Sequence, residues 1–363
     1  MEATAKNNVL IIERSSPAMV QPEYETPEGS IFLTSIDQVA VVHVPSVYCF
    51  DRSDANVVDV IKQALAKVLV HYYPLAGRLA INSRGKLVVD CQNKLGVPFV
   101  EAIADCNITN LGDVRILDGD VLGKLVYKEP TQDKLEAAPL LTAQITDVSN
   151  MKALYEEQQL VYKSFLFDAE KLAALKRMAT KDDQVTSRCS SFVALAAFVW
   201  RARSMALNMK LHQQTKLLFP VNFRSRLRTL LPDGYFGNAV AMPCCLCTMG
   251  DLIEEPISAS VERIKKAIES VTEDYIRSKI DFLDMHRFEG FPTGTLVINS
   301  WTSLEHGSTD FGWGEPRFGT GDVSSLTCLF MAEGREKGIM VVLGLPLSAM
   351  DTFNKLVCDL NGA

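Results

Sequence analysis

The sequence predicts an α/β or α+β protein, in which helices pack on the faces of β-sheets. Four segments place apolar residues three and four positions apart, as amphipathic helices do. They alternate with short β-branched or alternating runs, most of which are flanked by Gly, Pro or Asp. With 363 residues, 47% of them hydrophobic, the chain can bury a large core and form two domains.

The four predicted helices differ in how clearly their ends are marked. The first, 54–70, has Ser53 or Asp54 as a candidate cap and is followed by Pro74. The second, 169–180, begins behind a possible cap at Asp168, whereas 191–208 and 258–280 are defined by their apolar faces. The predicted strands are 39–44, 87–91, 216–222, 295–301, 325–331 and 339–343.

Charge and apolar patterning exclude two classes of partner. Lys and Arg total 37 against 44 Asp and Glu, a net charge of -7, and no basic run is present, so we expect no binding to nucleic acid. No stretch reaches the roughly 18 to 20 apolar residues of a membrane-spanning helix. The apolar run from Val9 to Ile12 is too short for a secretory signal. We therefore expect a cytoplasmic protein.

The polar stretch 147–159 lacks clear β alternation and predicts a linker between two halves. We expect an N-terminal domain of residues 1–147 and a C-terminal domain of residues 148–363. The nine cysteines are scattered and odd in number, which predicts free thiols. Cys244, Cys245 and Cys247 form a cluster, but no second Cys or His pair completes a tetrahedral set, so we expect no metal site.

One loop combines two glycines with an aromatic anchor: Asp310-Phe311-Gly312-Trp313-Gly314. Its aspartate is able to bond its own backbone or a distant arginine. Four other motifs precede it along the chain, namely His71-Tyr72-Tyr73-Pro74-Leu75-Ala76-Gly77-Arg78-Leu79, Cys189-Ser190-Ser191-Phe192 through Trp200-Arg201-Ala202-Arg203, Val221-Asn222-Phe223-Arg224-Ser225-Arg226, and Gly234-Tyr235-Phe236-Gly237-Asn238.

In this order and at these separations, the five motifs resemble the plant BAHD acyltransferases, which transfer an acyl group from coenzyme A to an alcohol or amine. The resemblance runs from Val9 to about Phe353. It implies a two-domain, chloramphenicol-acetyltransferase-like α/β fold and a monomer. It also implies acyl-CoA as co-substrate, an alcohol acceptor and no further cofactor. Within the family, the chain looks most like the hydroxycinnamoyl transferases that act on ω-hydroxy fatty acids or fatty alcohols.

The family's general base is the histidine of a His-x-x-x-Asp-Gly motif, which follows a strand resembling 141–146. In this sequence the motif is missing, because Thr146 leads through Asp147-Val148-Ser149-Asn150 into a segment, 162–168, that resembles the start of the family's second half. Part of the first domain is therefore deleted. Since transfer to a hydroxyl needs a proton acceptor, we assign no catalytic residue and expect the chain to be inactive or impaired.

His306 to Asp310 matches the spacing of the missing motif, but the aspartate already belongs to the glycine-rich loop. We interpret His306 as a chance match and His71 as a packing residue at a helix end. The other three histidines have no partner motif: His43 lies in a predicted strand, His212 in a polar stretch and His286 in a charged segment.

The resemblance also implies binding residues. Asn299 and Trp301 match a strand that lines the acceptor site, with a buried core strand as the alternative reading. Ser190, Ser191 and Arg203 flank a helix that borders the coenzyme A channel. The alternative reading is that Ser190 or Ser191 only caps that helix. Arg226 is a candidate for the nucleotide phosphates, and Arg224 for a structural ion pair with Asp310.

Three alternatives to the impaired acyltransferase stay open at this point. The first is a non-catalytic homologue that binds coenzyme A or a partner, and the second is an aberrant splice or gene-model product. The third is catalysis by His306 or His71 from a rearranged channel.

Overall fold

The computed structural model describes residues 12–39, 41–50, 56–92, 95–104, 114–117, 119–130, 137–148, 160–180, 189–228, 231–286, 294–304, 309–314, 316–320, 324, 326–333 and 338–360. The helices are α1 (Ser35–Val39), α2 (Val57–His71), α3 (Gly119–Leu125), α4 (Ala169–Ala179), α5 (Ser191–Ala206), α6 (Met249–Glu254), α7 (Ile257–Glu269), α8 (Glu273–Met285) and α9 (Leu347–Asp359). The strands are β1 (Ile12–Arg14), β2 (Ala18–Val20), β3 (Ser30–Phe32), β4 (Ser46–Cys49), β5 (Arg78–Ile81), β6 (Leu87–Asp90), β7 (Val97–Ala104), β8 (Ala143–Val148), β9 (Leu160–Phe167), β10 (Gln214–Leu218), β11 (Val221–Asn222), β12 (Val240–Ala241), β13 (Cys244–Thr248), β14 (Thr295–Ser300), β15 (Arg317–Thr320), β16 (Thr327–Glu333) and β17 (Gly338–Pro346).

The chain forms two compact units. Unit 1 comprises Met1–Glu157, Pro232–Asn238 and His306–Gly321, and unit 2 comprises Gln158–Leu231, Ala239–Glu305 and Asp322–Ala363. Two short stretches of the C-terminal half therefore belong to unit 1. The division expected at 147/148 stays a prediction, because residues 149–159 lie outside the described part of the chain.

The described residues of unit 1 form three sheets. In the largest, β7 pairs with β1 and β2 antiparallel and with β8 parallel. Helix α2 packs on it, and the core here is formed by Val20, Leu69, Ala76, Val97 and Phe99. The other two are the three-stranded sheet β3-β6-β5 and the pair β4-β15. The partner of β4 thus comes from residues 317–320, far along the chain.

Unit 2 is built on a six-stranded sheet in the order β13-β10-β14-β16-β17-β9, and β11 pairs with β12 separately. Helix α5 is buried on nearly every side, and Trp200, the largest of its side chains, is fully buried. Because a buried indole needs an acceptor, Trp200 Nε1 donates to Thr215 Oγ1 of β10 at 2.8 Å. The core of unit 2 lies between this helix and the sheet.

Three of the four predicted helices occur as single helices, and Asp168 caps α4 as expected by accepting the Lys171 N–H. The first begins at Val57, later than predicted, and its expected caps Ser53 and Asp54 lie outside the described residues. The fourth, 258–280, is corrected to two helices, α7 and α8. The reason is Thr272, whose side chain accepts the Tyr275 N–H and starts a new helix.

Two predicted strands also need correction. The segment 216–222 is divided between β10 and β11 at Pro220, which has no N–H to donate to a ladder. The segment 39–44 is not a strand: Val39 ends α1, residues 41–45 have no regular structure, and β4 begins at Ser46. Helix α1 forms there because Thr34 and Asp37 build a capping box, with Thr34 N donating to Asp37 Oδ2 and Asp37 N to Thr34 Oγ1.

Candidate acyl-CoA and acceptor site residues

Asn299 lies on the face of the unit 2 sheet that points away from α5. The Phe192 ring of α5 contacts the Phe330 ring of β16 at 6.0 Å, so Phe330 points toward that helix. In the parallel pair β14-β16, Ser300 is opposite Phe330 and Asn299 is opposite Leu329. Since side chains alternate along a strand, Asn299 and Leu329 share the other face.

Trp301 directly follows β14, and its backbone N–H donates to the Phe330 carbonyl at 2.7 Å. The strand end is held further by a hydrogen bond between the Ser300 and Thr302 hydroxyls at 3.0 Å. Asn299 and Trp301 are both partly exposed, in contrast to the fully buried residues Val297 and Ile298 before them. The structure therefore places the two candidate acceptor-site residues together at the open end of a buried strand.

The amino terminus of α5 carries Ser190 and Ser191. Ser190 is the helix cap, since its side chain accepts the Val193 N–H at 3.2 Å. Cys189, just before it, is buried, and burial raises the pKa of its thiol, whereas the positive charges of Lys265 and Lys176 act in the opposite direction. This end of the helix is thus positively charged as well as capped, and a role of either serine in binding coenzyme A stays a prediction.

Arg203, in the last turn of α5, is only 5% exposed. Burial lowers the pKa of its guanidinium, because the charged form loses hydration. Burial also raises the pKa of the nearby Cys328 thiol of β16, which keeps that thiol protonated and uncharged. Arg203 is therefore part of the interior between α5 and the sheet, and contact with coenzyme A stays a prediction.

Arg224 and Arg226 occupy a short 3-10 turn after β11. The Arg224 N–H donates to Asn222 Oδ1, and the Arg226 N–H donates to the Phe223 carbonyl. Arg224 is exposed and Arg226 is partly buried. Arg226 Nη1 donates to two carbonyls at the end of α7, Ile268 at 2.6 Å and Val271 at 3.0 Å. One nitrogen of Arg226 thus fixes the end of α7, and contact of this side chain with the nucleotide phosphates stays a prediction.

The glycine-rich loop in unit 1 is closed by its own aspartate. Asp310 Oδ1 accepts the N–H groups of Gly312 at 2.7 Å and Gly314 at 3.1 Å. Both glycines have positive φ, at 94° and 90°, which other residues rarely adopt. The ring of Trp313 contacts the Phe50 ring edge-on at 5.6 Å, so residues 311 and 313 are anchored by an aromatic side chain near β4. The ion pair expected between Asp310 and Arg224 stays a prediction.

None of the four described histidines has the surroundings of a general base. His43 Nε2 lies 3.2 Å from the Pro139 carbonyl. His71 is exposed at the end of α2, and His212 is exposed in a turn. His286 is exposed after α8 and stacks on Phe282 with ring centres 4.6 Å apart. His306, the chance match to the motif spacing, lies outside the described residues.

The cysteine cluster is distributed over both faces of an edge strand. In β13, Cys245 and Cys247 are buried on one face, whereas Cys244 is exposed on the other. Burial raises the pKa of Cys245 to about 12 and of Cys247 to about 11, which disfavours the thiolates that a metal needs. Among the described residues, no group of three His, Cys, Asp or Glu side chains is arranged to hold a metal ion.

Sequence reasoning missed two carboxylates that organise these segments. Asp37 accepts the N–H of Asn238 in the Tyr-Phe-Gly-Asn motif at 2.8 Å. Glu273 accepts the N–H of Arg228 at 2.9 Å. Both occur in helix-start patterns, Thr-Ser-Ile-Asp and Thr-Glu-Asp, which identify them as capping or first-turn residues. Their contacts to distant backbone have no signal in the sequence.

Comparison with known proteins decides the family. The model of the Transferase family matches residues 10–151 and 148–359, which together make up most of the chain. The chain belongs to this family, the BAHD acyltransferases. Two Arabidopsis thaliana relatives are the omega-hydroxypalmitate O-feruloyl transferase, 37% identical over 95% of this chain and 92% of the relative, and the fatty alcohol:caffeoyl-CoA acyltransferase, 34% identical over 96% and 98%.

Solved structures confirm the predicted fold of this BAHD chain. Vinorine synthase superposes with a TM-score of 0.73 at 20% identity, covering 96% of this chain and 98% of that one. TRI101 of F. graminearum, complexed with ethyl coenzyme A, superposes with a TM-score of 0.70 at 14% identity, covering 90% and 96%. At such low identity the likeness establishes the α/β acyltransferase fold alone.

The alignments also show that this BAHD chain lacks internal segments that its relatives have. The alignment with the feruloyl transferase has 424 positions, whereas the chain has 363 residues, so at least 61 positions have no counterpart here. The family model matches in two stretches that meet at residues 148–151. Within the described part of the chain, no helix is both long and apolar enough to cross a bilayer.

Proposed function

We propose that this chain is a hydroxycinnamoyl-type, acyl-CoA-dependent O-acyltransferase by family that has lost its general base. It binds acyl-CoA, and it transfers the acyl group to an alcohol or ω-hydroxy fatty acid slowly or not at all. The names of the two Arabidopsis relatives support an aromatic acyl donor and a long-chain hydroxylated acceptor. The catalytic impairment rests on the interruption after β8.

The position of the interruption supports the loss of the base. The two stretches matched by the family model meet directly behind β8, where the His-x-x-x-Asp-Gly motif of the family is expected. Attack of a hydroxyl on a thioester requires removal of the hydroxyl proton, and a positioned base contributes about 10²- to 10⁴-fold to the rate. The described histidines do not support a replacement: His43 contacts a backbone carbonyl, His286 stacks on an aromatic ring, and none of the four forms an ion pair with a carboxylate.

The remaining site residues keep binding roles in this proposal. Asn299 and Trp301 line the acceptor side and offer N–H groups to a developing oxyanion. Ser190, Ser191, Arg203 and Arg226 belong to the coenzyme A side, and the ion pair of Arg224 with Asp310 is structural. Acyl-CoA is the co-substrate, and no further cofactor is proposed.

The proposal also covers localisation, oligomeric state and domain division. We infer that the protein is cytoplasmic and monomeric, and that its two domains meet at residues 147/148. The free thiols of the described cysteines support a reducing compartment, and monomeric relatives are common in the family, which is an analogy.

The decisive experiment compares acyl transfer by the purified chain and by the Arabidopsis feruloyl transferase, with feruloyl-CoA and a long-chain alcohol. We expect a rate at least about 10²-fold lower for this chain. A rate within tenfold of the relative contradicts the proposal.

A chimera makes the test specific to the missing segment. Inserting after Val148 the segment that follows the matching strand in the relative is expected to raise the rate. The matched control carries the same insertion with its motif histidine replaced by alanine, and it is expected to stay slow. Equal rates of the two chimeras contradict the assignment of the base.

The second candidate function is a non-catalytic protein that binds coenzyme A. It is favoured by the retention of the candidate coenzyme A residues, all of which lie in the second stretch that the family model matches, residues 148–359. Saturable binding of coenzyme A in calorimetry, without product formation, supports it. Absence of both binding and a cooperative melting transition supports an aberrant splice or gene-model product instead.

A further inference from the structure

The segment from Asn222 to Arg228 is an arginine-rich turn of fixed shape. Its start is held by the Phe223 N–H, which donates to the Ala239 carbonyl at 2.9 Å, and by Asn222 Oδ1, which accepts the Arg224 N–H at 3.0 Å. Three of its residues are arginines, and Arg224 and Arg228 are exposed. The turn thus presents positive charge from an ordered backbone.

Within the described part of the chain, the guanidinium of Arg226 bonds to protein through one of its nitrogens. Its Nη1 donates to the Ile268 and Val271 carbonyls, which accounts for the two N–H groups on that nitrogen. An arginine carries five N–H donors, so the three on Nε and Nη2 are those that a phosphate would engage. Nη1 is held at the end of α7, so the direction in which the Nε and Nη2 N–H groups point depends on the position of the backbone at residue 226.

Glu273 holds the other end of the turn. Its Oε2 accepts the Arg228 N–H at 2.9 Å, and its Oε1 accepts from Arg277 Nη2 at 2.7 Å and Nε at 3.0 Å. The Glu273 side chain is 12% exposed, whereas those of Arg228 and Arg277 are 86% and 65% exposed. The carboxylate is therefore well ordered beneath two exposed arginines.

We propose that Glu273 is a positioning residue, which holds the Arg226–Arg228 backbone so that the Arg226 guanidinium is aligned for a phosphate group of coenzyme A. This inference rests on the proposed function, because it takes the ligand from there. Glu273 itself is an anion and does not touch the phosphate. Its effect is to remove the ordering cost that a loose turn would add to binding.

The test is calorimetric titration of the full chain with coenzyme A. Glu273→Ala removes the acceptor of the Arg228 N–H, and we expect the Kd to rise about tenfold, as for loss of one ordering hydrogen bond. Glu273→Gln keeps an acceptor oxygen and is expected to bind within about threefold of the unsubstituted chain. Arg277→Ala, the matched control, leaves the bond to Arg228 intact and is expected to bind within about threefold as well.

Titration with 3′-dephospho-coenzyme A, which lacks the 3′-phosphate, shows whether Arg226 binds the 3′-phosphate or the diphosphate of coenzyme A. Loss of the Glu273→Ala effect with this ligand assigns Arg226 to the 3′-phosphate, and its persistence assigns Arg226 to the diphosphate. Amide hydrogen exchange at Arg228 reports the turn without any ligand, and we expect faster exchange in Glu273→Ala than in Glu273→Gln.

Two results overturn the inference. One is unchanged coenzyme A affinity in Glu273→Ala when exchange at Arg228 is faster, and the other is an equal loss of affinity in Arg277→Ala. If the unsubstituted chain does not bind coenzyme A, the proposed function fails and the ligand named here fails with it. Unchanged exchange at Arg228 in Glu273→Ala, by contrast, refutes the positioning role alone.

Discussion

Asp37 Oδ1 accepts the backbone N–H of Asn238 at 2.8 Å, across 201 positions of sequence. The other oxygen, Oδ2, accepts from the Thr34 N–H and hydroxyl at the start of α1. One carboxylate therefore caps a helix and holds the Tyr-Phe-Gly-Asn segment within unit 1. Gly237 leaves room for both side chains, because a Cβ there would lie 2.5 Å from Tyr235 Oη and 3.2 Å from Asp37 Oδ2 and would displace the tyrosine ring.

Replacing Asp37 tests this double role. Asp37→Ala removes the acceptor of several hydrogen bonds, and we expect the free energy of unfolding to fall by about 1–3 kcal/mol. Asp37→Asn keeps an acceptor for the Asn238 N–H and is expected to recover most of the loss. Denaturant unfolding measures both, with the exposed Asp351→Ala as control. Equal stability of Asp37→Ala and Asp351→Ala would show that the contact contributes nothing.

Tryptophan fluorescence tests how the glycine-rich loop is anchored. The chain has three tryptophans, and Trp313 is the one in edge-on contact with Phe50. We expect Phe50→Ala to expose Trp313 and shift the emission to longer wavelength, because the indole gains water contact. Phe282→Ala removes an exposed ring from α8 instead, so it is the control. An unchanged spectrum in Phe50→Ala contradicts the anchoring role.

Two glycines are expected to respond in opposite ways to alanine. A Cβ at Gly319 of β15 would collide with the Val114 carbonyl oxygen, so Gly319→Ala is expected to cost about 3 kcal/mol or more. Gly123 lies inside α3 with nothing within 4 Å of such a Cβ, and Gly123→Ala is expected to stabilise by about 0.5–1 kcal/mol. Thermal unfolding of the two variants gives the sign, and a stabilised Gly319→Ala would refute the close contact.

The stability contributed by Glu273 is expected to depend on pH. The Arg228 N–H, and next the Arg277 side chain, lower the pKa of this carboxyl below its ordinary value of 4.5. A depressed carboxyl pKa stabilises the folded state above the unfolded-state pKa, and this stabilisation is lost as the pH falls through the folded-state pKa. The difference in Tm between the unsubstituted chain and Glu273→Gln should therefore be present at about pH 7 and shrink below pH 4.5. A difference that does not change with pH contradicts the assignment.

Local patterns were sufficient for much of the fold. Helices α4 and α5 follow from apolar spacing and from the caps Asp168 and Ser190, because these signals act within a few residues. The break between α7 and α8 was equally local, in Thr272 and the acidic residues after it, but the continuous apolar spacing of 258–280 concealed it. The pairing of β4 with β15 has no such signal, since neither strand identifies a partner as distant along the chain as Thr320, which is opposite Ser46 in the register.

The candidate site divides in the same way. The cap of α5 and the self-closing loop at Asp310 depend on neighbouring residues, and the sequence offered both as alternatives. The contact of Arg226 with the end of α7 and that of Glu273 with Arg228 join residues more than forty positions apart. Such contacts depend on tertiary packing, which single-sequence patterns do not encode.

Unit 1 is assembled from three separate stretches of the chain, the last of which ends at Gly321. During translation, β4 therefore cannot pair with β15 until the ribosome has synthesised most of the protein. Domains generally complete folding only when all of their parts have been synthesised. A fragment of residues 1–157 would lack Trp313 and β15. Unit 1 therefore cannot be produced by itself by truncating the gene.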